Sequence, residues 1–85
     1  MTIRNLQNAA EYQVKMGCKH LLESDYKESM LSWYYGTAAI VDFCKNENII
    51  DEETHRKYKD MIERAHIDYY KNAESDFELA HKRLF

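Results

Sequence analysis

Three of the chain's four histidines stand three residues after a glutamate: Glu52 and His55, Glu63 and His66, Glu78 and His81. On a helix this spacing sets carboxylate and imidazole on one face. Ferritin-like carboxylate sites draw such a pair from each of two facing helices and add glutamates from two others. Here all three pairs fall on one run without a helix breaker, and residues 63 and 78 are about 22 Å apart at helical rise. The apolar faces of the other two helical segments offer no glutamate to complete a site. A metal-dependent enzyme is therefore the least favoured reading, and no metal ligand or cofactor is expected.

Cys18 or Cys44 beside His20 or His66 would form a cysteine–histidine pair able to activate a thiol. Acyl or phosphoryl chemistry also needs an anion-stabilising turn, and the chain has no glycine-rich loop, no P-loop and no oxyanion turn outside a helix. No catalytic residue is expected. Both cysteines fall on apolar helical positions, where a free thiol behaves as a small hydrophobe, so reduced and buried thiols are expected. The paired tyrosines carry more information. In Tyr34–Tyr35 and Tyr69–Tyr70 one ring faces the apolar side and its neighbour points about 100° away. That leaves Tyr35, Tyr70 and Tyr12 partly exposed, and tyrosine is favoured at protein contact surfaces.

Composition narrows the setting for these groups. Eighty-five residues make one domain, 45% apolar and 13% aromatic, with no proline and only Gly17 and Gly36 as glycines. Long helices suit such a chain; turn-rich β folds do not. The formal charge of −3 and pI near 5.8 give no basic face for displacing counterions from a nucleic acid. There is no apolar leader segment and no run approaching a bilayer span, so a cytoplasmic protein without membrane attachment is expected.

Three helices account for the whole chain, at about residues 3–23, 25–46 and 52–84. Thr2 caps the first, whose stripe is Ile3, Leu6, Ala10, Val14, Gly17, Cys18 and Leu21. Gly17 within that stripe costs about 1 kcal/mol relative to alanine, a cost that close approach of the second helix would offset. The second helix begins at Ser24 or Asp25, with Asp25 and Glu28 at capping-box spacing. Its Met30–Cys44 stretch has Asp42 as the only formal charge. Tyr26, Met30, Trp33, Tyr34, Thr37, Ile40, Val41 and Cys44 make one broad apolar face, and Ser29, Ser32, Gly36, Ala39 and Phe43 continue it. A rod so apolar is expected to be covered from two sides. Ile49 and Ile50 should fold back on the bundle ahead of an Asp51 cap. The third helix, about 50 Å long, outruns partners of about 33 Å. A kink or break near Asn72–Asp76, where Ser75 and Glu78 have capping-box spacing, is the alternative.

From Gly17 to Gly36 the chain resembles one tetratricopeptide-type hairpin. Gly17 stands at the small position of the first helix, Asp25-Tyr26-x-Glu28-Ser29 at the turn, Trp33 at the large aromatic position and Gly36 at the following small one. The resemblance covers about a quarter of the chain. Gln13 stands at the tryptophan position, and no second copy follows. It implies a tight pair of antiparallel helices.

The sequence thus predicts an all-α, antiparallel three-helix bundle with a tight first hairpin and an overlong last helix. Its expected role is non-enzymatic protein–protein contact, through a homodimer, with Tyr35, Tyr70, Phe77, Leu79, Leu84 and Phe85 as partner-binding residues. The alternative is a small inhibitor docking on a larger enzyme, of the phage or mobile-element anti-defence type. If the end of the third helix carries the contact, Leu84→Glu with Phe77→Glu converts a dimer to monomer in light scattering while leaving helical circular dichroism largely intact.

Overall fold

The computed structural model describes the backbone of residues 2–84 and the side chains of residues 2–73. It contains α1 (Ile3–Glu23), α2 (Lys27–Asn46) and α3 (Glu52–Leu84), each packed against the other two in an antiparallel bundle. Among the described residues there is no strand.

The ends of the helices follow from local chemistry. Thr2 caps α1, its Oγ1 accepting from the Asn5 amide at 3.2 Å. Asp51 caps α3, accepting from the Thr54 amide at 2.7 Å. The Thr54 hydroxyl first, and then the Thr54 and Asp51 amides, hold the Asp51 carboxyl below the usual range. The capping box expected at Asp25 does not form: α2 begins at Lys27, two residues later, with Tyr26 extended at its N-cap and no side-chain cap bond. Ser24 belongs instead to the end of α1, where its hydroxyl donates to the His20 carbonyl at 2.7 Å and its amide to that of Leu21. With Ser24 turned back, three residues join the two helices.

The other connection is a Schellman-type stop. Asn48 adopts a left-handed conformation, φ 60°, which asparagine tolerates better than most side chains. Its amide donates to the Lys45 carbonyl at 3.0 Å, and the Ile49 amide donates to that of Cys44 at 2.8 Å. The turn aims Ile50 into the core and lays Ile49 against it, as expected from the sequence.

The core has two parts. Near the 47–51 loop, Ala10, Val14, Val41, Cys44, Ile50 and Ile62 pack together. Near the α1–α2 link, Leu21, Met30 and Ala65 do so, with Cys18, Tyr34 and Tyr69 against them. Cys18 and Cys44 are free thiols, the second buried. The α3 helix passes the level of the link at Tyr69–Ala73 and continues unbroken to Leu84, so it does not divide at Asn72–Asp76. The molecule measures 58 × 20 × 17 Å.

Two expectations are overturned. Ile3, placed on the inward stripe of α1, is exposed. More consequentially, α2 is not covered from two sides. It buries Met30, Thr37, Val41 and Cys44, while Tyr26, Trp33, Ile40 and Phe43 remain exposed. Two neighbouring helices cover less than half the circumference of a third, so the outer half of α2 faces solvent whatever its composition.

The rotation of α2 about its axis is set at Gly17. A Cβ built there would lie 2.7 Å from Thr37 Cγ2 and closer still to Thr37 Oγ1. The expected close approach is therefore made by the Thr37 side chain on the buried face of α2, and not by its small-residue face. Gly17→Ala gains helix propensity of about 1 kcal/mol but overpacks the helix crossing at a cost of about 1–3 kcal/mol, so thermal denaturation should show a net loss of up to about 2 kcal/mol.

Candidate interaction face

Seven residues of α2 lie within about 60° of the direction set by Gly36: Ser29, Ser32, Trp33, Gly36, Ala39, Ile40 and Phe43. All seven are exposed and none is charged. Trp33 is 42% exposed, Ile40 39% and Phe43 60%. An uncharged strip of this length, with three large apolar side chains open to solvent, is the departure from ordinary surface composition that most often marks a contact site.

The strip is anchored on the α1 side. His20 and Trp33 stack with ring centroids 4.5 Å apart and planes 18° from parallel. Beside the indole, Met16 and Gly17 of α1 and Trp33, Gly36, Thr37 and Ile40 of α2 line a shallow, mostly apolar groove of about 300 Å³. Gly36 has open space over it, since a Cβ there would meet nothing within 4 Å. The sequence reading placed Trp33 and Ile40 in the core and the rest of the strip beneath a second neighbour. The second, small-residue face is visible in the sequence; that it stays uncovered follows from where α1 and α3 sit.

The other side-chain groups serve the bundle. Tyr34 donates a short hydrogen bond to the Glu63 carboxylate, which pushes the phenol up to about 12, helped by partial burial. Next to it the His66 ring lies 4.4 Å from Tyr34 and 5.2 Å from Tyr70, centroid to centroid, with Nε2 buried and lacking a hydrogen-bond partner among the described residues. His55 Nε2 lies 2.7 Å from Asp42 Oδ1, and Lys59 Nζ lies 3.3 Å from the same oxygen. The His55 bond, then Lys59, holds the Asp42 carboxyl below its ordinary value. The glutamate–histidine pairs are thus divided: His55 turns to Asp42, Glu63 to Tyr34, and His66 into an aromatic stack. Glu78 and His81 lie outside the described side chains. No group of three or more His, Cys, Asp or Glu among the described residues could hold a metal ion.

Burial pushes both the Cys18 and Cys44 thiols up, and the Tyr34 phenol moves the same way. This is opposite to what a nucleophile at neutral pH requires. Of the partner-binding residues expected from the sequence, Tyr35 and Tyr70 are exposed. Tyr35 meets Tyr34 edge-on and Tyr70 meets Tyr69 edge-on. Phe77, Leu79, Leu84 and Phe85 lie outside the described side chains. Among the described residues no helix is long and apolar enough to cross a membrane. Compared with protein-family models, curated proteins and solved structures, the chain matches none.

The Tyr34–Glu63 bond exists only with a protonated phenol. A pKa raised on folding means its stabilisation is complete below about 10 and is lost as pH rises through about 12. In an ultraviolet titration one of the seven tyrosines should ionise last, near 12, and that step should vanish in Tyr34→Phe.

Proposed function

We propose that this chain is a small non-enzymatic helical module for protein–protein contact, with a second copy of itself or another protein as the partner. One observation carries the reading: the uncharged strip from Ser29 to Phe43, exposed along its length with Trp33, Ile40 and Phe43 on it. Leaving that much apolar surface in water costs free energy, about 25 cal/mol for each Å², that a protein contact recovers. Burial, which pushes the Cys18 and Cys44 thiols up, weighs against either as a nucleophile. The tetratricopeptide-type resemblance of Gly17–Gly36 fits it too, as a helix pair used for its surface.

A photoreactive side chain tests it. Gly36→p-benzoylphenylalanine fits, because nothing lies over that position. In the native host the expected result is a covalent adduct with polypeptide, self or other, that Arg56→p-benzoylphenylalanine on the charged face of α3 does not give. Equal labelling from both positions, or none from position 36, would overturn the proposal.

A further inference from the structure

A pair of packed helices has two grooves. In the α1–α2 pair one is filled by α3, which sets Ile62, Ala65 and Tyr69 against both helices. The other runs beside Trp33 and is open to solvent. Its α1 bank resembles its α2 bank. Ala9, Gln13, Met16 and His20 recur along it at helical spacing, and none is charged. The uncharged strip of α2 is thus half of a wider face that spans both helices.

The charges that border this face are mostly acidic. Helical projection places Glu23 at the link end of the α1 bank and Glu28 on the outer edge of α2; Glu47 follows Phe43 by one turn. All three are exposed, and none is in an ion pair among the described side chains. Among the described residues Lys19 is the only cation at the edge, one turn before Glu23.

We infer that this face seats a cationic amphipathic helix of another protein. The apolar side chains of that helix would lie in the groove over Gly36, and its lysines or arginines would reach the Glu23, Glu28 and Glu47 carboxylates. This rests on the protein-contact reading above and names the partner's chemistry. The shape argument is internal, since the same two helices already hold an amphipathic helix on their other side. A shallow groove of about 300 Å³ is at the small end for enclosing a free ligand, but it accepts anchoring side chains presented by a helix. Gly36 fits as well. It lies mid-helix with nothing over it, where alanine would favour the helix, and it lets a third backbone come close. The charge argument chooses among occupants. A second copy brings the same surplus of carboxylates and opposes itself, and phosphates of a nucleic acid or an anionic lipid surface are repelled likewise.

The strip from Ser29 to Phe43 runs about 21 Å, the length of about 14 helical residues. The probe is therefore a peptide of about that length, made only of leucine and lysine, with the leucines on one helical face. Its control has glutamate for every lysine. Trp33 is the chain's single tryptophan and reports directly. The lysine peptide should shift its emission to the blue and saturate at one peptide per chain, at least about tenfold more tightly than the glutamate peptide. Glu23→Lys, Glu28→Lys and Glu47→Lys in one chain should reverse that preference with helical circular dichroism retained. Glu11→Lys, Glu53→Lys and Asp68→Lys make the same change of net charge away from this face. They should alter binding less than about twofold at 0.15 M salt, where the screening length is about 8 Å and the bundle is 17–20 Å across.

No binding of the lysine peptide, equal binding of the two peptides, or equal effects of the two triple variants overturns the inference. If the photoreactive residue at position 36 labels polypeptide in the host while the lysine peptide fails to bind, the contact reading stands and the cationic helix does not. Labelling of a second copy alone has the same meaning.

Discussion

The seating of Thr37 of α2 against Gly17 of α1 sets the rest of the structure. A helix can be rotated about its own axis in many ways against a neighbour, and an apolar helix such as α2 has little polar surface with which to choose. The missing side chain at Gly17 chooses for it, admitting Thr37 where a methyl group would collide. With Thr37 fixed, helical periodicity carries Met30, Val41 and Cys44 inward. It carries Ser29, Gly36 and Phe43 outward by the same rule. One absent Cβ therefore determines the core face of α2 and the face left to solvent.

The chemistry-bearing residues are subordinate to this framework. Glu63, His55 and His66 had suggested metal ligation by their spacing along α3. In three dimensions each is drawn toward a group on α2, either Tyr34 or Asp42, or into the tyrosine stack. These contacts tie α3 to α2 along the flank where the two helices meet. They leave the opposite flank of α2 without charge.

Much of the fold was legible because its determinants are local. Thr2 and Asp51 cap helices through amides three residues away, and such chemistry needs no knowledge of the rest of the chain. The stripe of α1 could be read from period alone, except for Ile3 in its first turn, which is exposed. Ser24 misled because its hydroxyl can serve the helix before it or the helix after it, and spacing does not distinguish the two. Asn48 carried a usable signal, being one of the few residues that tolerate the left-handed turn ending α2, and it passed for ordinary loop. The candidate face was misread for a different reason. Apolar content was equated with burial, yet how much of α2 gets covered depends on how many helices there are to cover it.

The short link between α1 and α2 has a kinetic consequence. Three residues separate the two helices, so their pairing closes a small loop and loses little chain entropy. The seating of Thr37 against Gly17 spans only 20 positions. By contrast, Ala10 and Val14 reach Ile62 across most of the chain. Contacts close in sequence form early, and distant ones wait for the ends to meet. The α2–α3 pair is as local, since Val41 and Cys44 stand about 20 positions from Ile62 in the same cluster, so only the contacts of α1 with α3 wait for the chain to close.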